Sequence, residues 1–143
     1  MDENILISIE SKHYQKETGN YKEAFSCKGS LIYKENRVYI RYTEPENGEE
    51  RPAAVTLKID GKNISMMRSG DANSHFVFEQ GVHHPTRYLL SYGSLLMDIY
   101  TKKLATQNNE NGGKIHICYT LTVEEKEQVE TDFTLTYKLI NNN

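Results

Sequence analysis

The sequence predicts an all-β fold: a single domain over residues 1–143, closed into one antiparallel up-and-down barrel of about eight to ten strands. Three observations lead there. Apolar residues recur with a period of two along most of the chain, short turns join the segments so marked, and no helical repeat with a clear apolar face lies between them to act as a crossover. A meander of such hairpins removes its edge strands by closing on itself. A sandwich of Greek keys would need longer cross-sheet connections than most of those present.

The elements follow in order. Ile5, Ile7 and Ile9 form the apolar face of a first strand. His13 to Glu23 admits a short helix but offers it no apolar face. Phe25, Cys27, Gly29, Leu31 and Tyr33 alternate next, and the turn Lys34-Glu35-Asn36 leads into Val38, Ile40 and Tyr42, a hairpin. The stretch from Glu44 to Pro52 is polar, acidic and bracketed by Pro45 and Pro52, which reads as an exposed loop. Val55, Leu57 and Ile59 precede Asp60-Gly61, a strong hairpin signal because both central residues of such a turn need positive φ. Ile64, Met66 and Arg68 return, Ser69 to Asn73 turns the chain, and Phe76 and Phe78 form a strand ended by Gln80-Gly81.

His83-His84-Pro85 reads as the start of a loop, and Tyr88, Leu90 and Tyr92 as a strand. Gly93 reads as a bulge or corner before Leu95, Met97 and Ile99 resume. A helix over Leu95 to Leu104 is the alternative there, from Leu96, Ile99 and Tyr100, but Tyr92, Gly93 and Thr101 favour strand. After the turn at Gln107 to Gly113 come Ile115, Ile117, Tyr119, Leu121 and Val123, the longest clean alternation. An acidic turn, Glu124 to Glu127, leads to Phe133, Leu135, Tyr137 and Leu139. Asn141 to Asn143 is expected to fray.

Composition narrows the class. Hydrophobic residues are 37% of the chain and mean hydropathy is −0.69, which suits sheets with one buried and one wet face better than a doubly covered parallel sheet. Ten Tyr against four Phe and no Trp fit positions where a barrel wall meets water or a wet cavity. A net charge of −3 gives no basic footprint for phosphates, so nucleic acid is not expected as a partner. The start Met1-Asp2-Glu3-Asn4 is acidic where a signal peptide is basic, and Ile5-Leu6-Ile7 is too short for its apolar core. No segment approaches the ~20 apolar residues of a membrane helix. Cys27 and Cys118 fit no metal or redox spacing. The expected location is the cytoplasm, with no membrane partner. Oligomeric state is not encoded in any of these features.

The segments Arg68-Ser69-Gly70, His75 to Gly81 and Thr86 to Leu95, ending near Thr101, carry a pattern of Gly, Tyr and apolar residues. Val38 to Tyr42 and Gly113 to Tyr119 extend it over nearly the whole chain. In this pattern the chain resembles the small bacterial lipocalin-like barrels of unknown function typified by the Bacillus protein YwiB. Ser91 departs from it, standing where the pattern carries a threonine. The resemblance implies a calycin-type barrel in a cytoplasmic bacterial protein and assigns no chemistry. Barrels of this size commonly have room for one small ligand, a fold-level analogy.

Four side chains form the candidate ligand site: Arg68, Glu79, Tyr88 and Tyr92. Alternation puts Arg68 on the face of Ile64 and Met66, taken as inward. An inward arginine needs a carboxylate partner or offers its fork to a ligand carboxylate or phosphate, the device of intracellular lipid-binding barrels. The plainer reading is a rim arginine, or a salt bridge to Glu79 or Asp98. Tyr39, Tyr42, Tyr119 and Tyr137 would add hydroxyls to a wet cavity or simply line the wall.

His75, His83 and His84 lie near Glu79, but His75 and Glu79 are too far apart on one strand to chelate, so these read as loop histidines and no metal or other cofactor is expected. Cys118 and His116 share a strand face, with no orienting acid assignable, so wall packing is the default and no catalytic residue is named. Asn111-Gly112-Gly113 lacks the rest of a phosphate loop. The leading expectation is therefore non-enzymatic binding of a small amphipathic or anionic ligand inside the barrel. The alternatives are a protein-interaction module acting through its outer surface or the loop Glu44 to Arg51, and a small enzyme using Glu79, His83 or His116 as acid or base.

Overall fold

Ten strands run antiparallel in a computed structural model that describes residues 3–45 and 52–140. They are β1 (Ile5–Gln15), β2 (Gly19–Lys34), β3 (Arg37–Thr43), β4 (Ala54–Asp60), β5 (Asn63–Ser69), β6 (Ser74–Phe78), β7 (His83–Leu90), β8 (Gly93–Asn109), β9 (Gly112–Val123) and β10 (Glu127–Leu139). The expected all-β barrel is present, with no helix among the described residues. The sheet order is β6-β5-β4-β3-β2-β1-β10-β9-β8-β7. Every neighbouring pair is consecutive in sequence except β1 and β10, whose ladder runs from Ile5↔Leu139 to Tyr14↔Glu130.

The ring closes between β6 and β7 through few backbone contacts. Asn73 and Leu89 exchange N–H···O bonds of 2.8 Å, and the Gly81 N–H donates to the Thr101 carbonyl at 2.8 Å. Thr86 Oγ1 donates to the His75 carbonyl at 2.8 Å. Pro85, with no N–H, lies in β7 opposite Asp98 on its β8 side, the sort of strand bordering an open edge where proline is tolerated.

Several local expectations are corrected. His13 to Glu23 is not helical: β1 and β2 continue as a ladder to Gln15↔Gly19. That stretch is mostly exposed, so water on both faces removes the apolar period that marks a strand. Leu95 to Leu104 is strand, and Gly93 opens β8 after a two-residue turn, Leu90 pairing Gly93. The bulge lies further on, between Thr101 and Lys103. His83-His84-Pro85 begins β7. At the β4–β5 hairpin Asp60 pairs Asn63, so the central residues are Gly61 and Lys62, and only Gly61 has positive φ (61°). The β2–β3 turn instead has both Glu35 and Asn36 at positive φ, 53° and 65°, the type I′ signature. Residues 46–51 of the acidic loop and Asn141 to Asn143 lie outside the described residues.

The inward positions pack the core. Ile5, Ile7, Ile40, Leu57, Ile99, Ile117 and Leu135 are wholly shielded from water, with Val55, Ile64 and Ile115 all but so. Alternation continues through each strand, so these residues fill the lower and middle interior. The upper end carries the turns at 16–18, 70–73, 91–92 and 124–126 and the start of the β3–β4 connection. There the inward face turns polar on β1 and β5, at Ser11, His13 and Arg68, while β8 and β9 stay apolar to their upper ends at Leu95, Met97, Leu121 and Val123.

Candidate functional site

Register brings the polar residues of that end together. Across β8, β9, β10, β1 and β2, Thr101 pairs Tyr119, Tyr119 pairs Thr131, Thr131 pairs His13 and His13 pairs Tyr21. On the other side of the interior Arg68 of β5 pairs Val55, which pairs Tyr42 of β3. Arg68 faces inward, as alternation predicts. Its partner is neither Glu79 nor Asp98 but Glu44, just past β3, which binds Arg68 Nη2. Arg68 Nε is sealed from solvent and has no hydrogen-bond partner among the described residues, a group that costs stability while unpaired.

The surrounding phenols feel both charges. Burial raises the pKa of Tyr42, Glu44 adds to the rise and Arg68 opposes it. Burial also raises Tyr119, while the Thr131 hydroxyl and Arg68 pull it back. The Tyr119 ring packs on Phe78 at 4.9 Å and that of Tyr42 faces Phe25 at 6.3 Å. His13 Nδ1 lies 3.0 Å from Thr131 Oγ1, and its ring stacks on Tyr21 at 4.5 Å. Burial lowers the His13 pKa, and Glu23 opposes this. The Arg68–Glu44 pair, the Tyr42 and Tyr119 phenols and the Thr131 hydroxyl thus form a largely buried polar group set against the apolar core. An arginine fork is suited to a carboxylate or phosphate, and aromatic rings to an apolar tail.

The description of a domain of unknown function, DUF1934, matches residues 7–136. The chain belongs to that family. An uncharacterized β-barrel protein of Bacillus subtilis (strain 168), YwiB, is 26% identical over 140 residues, covering 96% of each chain. The crystal structure of YwiB from Bacillus subtilis superposes with a TM-score of 0.84 at 22% identity, over 97% of this chain and 93% of that one. Its likeness shows the barrel shape and no chemistry.

Of the four residues predicted for the site, this DUF1934 barrel brings only two to its inner face. Arg68 is at the mouth, and Tyr88 points inward, half-buried, opposite Leu95. Tyr92 occupies the β7–β8 turn and is 85% exposed, so the apparent alternation Tyr88, Leu90, Tyr92 ran one step past the strand's end. Glu79 follows β6 and binds His84 Nε2 at 3.0 Å, away from Arg68. His83 Nδ1 meets Asp98 at 2.6 Å, so His83 and His84 use separate carboxylates.

The residues missed were Glu44, Thr131, His13 and Glu23. The signal for three of them was extrapolation: the odd positions of β1, β2 and β10 stay inward after their apolar residues end. Glu44 lies beyond its strand, where periodicity says nothing. No helix among the described residues is long and apolar enough to cross a membrane.

Proposed function

We propose that this DUF1934 barrel is a non-enzymatic binding protein that takes a small amphipathic anion at its upper mouth, with Arg68 holding the anionic group. The observation that carries the reading is the sealed, unpartnered Nε of Arg68 beside an Nη2 engaged by Glu44. A ligand carboxylate or phosphate that displaced Glu44 and opened the cover over Nε would satisfy both nitrogens at once, a geometry in which arginine excels. Tyr42, Tyr119 and Thr131 supply further hydroxyls, with the half-buried Phe25 ring beside Tyr42. The packed lower interior directs the site to the mouth and not to a deep cavity.

The same reading places the protein in the cytoplasm of a bacterium, in keeping with two free cysteines. It involves neither membrane nor nucleic acid. An acid–base role for His116 is disfavoured, because Asp132 and Cys118 both face one nitrogen of its ring. A relay needs the acid on one nitrogen and the nucleophile on the other.

The test is titration with anilinonaphthalene sulfonate, an amphipathic fluorescent anion, alongside native mass spectrometry of protein purified gently from its host. Saturable binding at one probe per chain, weakened at least about tenfold by Arg68→Ala, is the expected result, with any carried ligand mass lost from the variant. Binding that ignores Arg68→Ala rules the mouth out.

A further inference from the structure

On the outer wall, across the sheet from the mouth residues, three different donor groups converge. His116 and Cys118 are two apart on β9, and Asp132 of β10 pairs Cys118 in the ladder. His116 Nε2 lies 2.6 Å from Asp132 Oδ1 and 3.5 Å from Cys118 Sγ. All three ligand atoms lie within 4.8 Å of one another, and each residue is half-buried. The sulfur and the carboxylate meet one ring nitrogen, so the arrangement has the convergence of a coordination site and not the linear order of a nucleophilic triad.

The spacing fits a metal ion of a particular size. Bonds of about 2.3 Å to sulfur and about 2.0 Å to nitrogen set those two ligands roughly 3.5 Å apart in a tetrahedron. The observed Cys118–His116 separation already matches. Asp132, one rotamer adjustment away on a half-exposed side chain, has only to swing outward by under about 1 Å to widen its distance from His116 to tetrahedral spacing. With thiolate and carboxylate ionised and imidazole neutral, the donor set carries the charge that neutralises a divalent cation. Lys12 pairs Asp132 and Lys103 pairs Cys118 across the strands, but the Lys12 ammonium lies with Glu10 at 3.8 Å. Burial together with Asp132 outweighs Lys103 and holds the Cys118 thiol above its ordinary pKa, so a bound cation has to displace the thiol proton. The β8 bulge between Thr101 and Lys103 lies directly opposite and sets Lys103, not Lys102, across from the sulfur.

We propose that His116, Cys118 and Asp132 form a surface site for one zinc-type divalent cation, with its fourth position open to water. Mixed sulfur, nitrogen and oxygen donors select a borderline-soft ion over magnesium or calcium. The site stands apart from the ligand reading at the mouth, on the opposite face of the sheet, and neither depends on the other.

Equilibrium dialysis of the full chain against Zn²⁺, with metal analysis, is paired with Co²⁺ titration followed by absorption. The expected result is one metal per chain, a thiolate-to-cobalt charge-transfer band, and loss of that band in Cys118→Ser but not in Cys27→Ser. Asp132→Asn should weaken binding at least about tenfold, and His116→Gln serves as a second ligand variant if Cys118→Ser does not fold. Affinity should fall as pH drops, because thiol and imidazole must both be deprotonated to bind. Absence of equimolar metal, or a band that survives in the folded ligand variants, overturns the site.

Discussion

The lower interior of the barrel and its upper mouth are built on one alternation but hold opposite chemistry. Along β9 the inward residues run Ile115, Ile117, Tyr119; along β10, read upward, Leu135, Phe133, Thr131; along β1, Ile7, Ile9, Ser11, His13. β1 starts apolar and ends polar without losing its register, whereas β9 and β10 carry their polar step at Tyr119 and Thr131 and return to apolar residues above it, at Leu121, Val123 and Val129. Below, nearly all inward side chains are apolar and are held by packing. Above, the residues are held by pairwise contacts, Arg68 with Glu44 and His13 with Thr131, and two buried atoms, Arg68 Nε and Thr101 Oγ1, have no partner among the described residues. The lower half supplies the stability, and the upper half is where the chain departs from what stability would select.

The largest effect should come from below. Ile117 is wholly shielded, and Ile117→Ala should cost about 2–5 kcal/mol through lost burial and a residual cavity. Urea unfolding reads this directly; a loss no greater than that of Tyr119→Phe, at the mouth, would erase the contrast between the two regions.

Next comes the ion pair. Arg68→Met leaves the Glu44 carboxylate facing a partly desolvated site and should cost about 1–3 kcal/mol. The double variant Arg68→Met, Glu44→Gln should regain most of that, because a desolvated pair repays little more than its own desolvation. Should the double variant be the less stable of the two, the pair is a structural brace and the mouth has no need of a ligand to explain it.

The smallest effect concerns pH. Burial depresses the folded-state pKa of His13 below its ordinary 6.5, so the unfolded chain binds the proton more readily. The contribution of His13 is therefore complete above about pH 6.5 and declines as pH falls through that value toward the lower folded pKa. His13→Gln should flatten this part of the stability profile between pH 7 and 5, measured by urea midpoints. An unchanged slope would place the titration elsewhere.

The fold was legible because its signal is redundant. Ile5-Ile7-Ile9 and Ile115 to Val123 announce strands, and short turns tie them into a meander. The hairpin reaching His13 and Tyr21 was not legible, since both of its faces meet water and no apolar rhythm survives there. For the site, Arg68 could be placed inward from Ile64 and Met66 alone. Its partner Glu44 could not, because it lies past a strand end, and Tyr92 was misassigned for the same reason. Likewise, Cys118 and His116 were visible as a pair, but Asp132 joins them only through the β9–β10 register, which the sequence does not print.

The β1–β10 ladder has a consequence in time as well as in space. Every other pairing joins neighbours along the chain, and those hairpins can form as each is synthesised. Ile5↔Leu139 joins the two most distant strands, so β1 presents one bare backbone edge until β10 has been made and docked. Closure of so long a loop is slow compared with hairpin formation. The newborn chain therefore passes through an interval as an open, curled sheet with a sticky margin, its period of greatest exposure to self-association and its greatest call on chaperones.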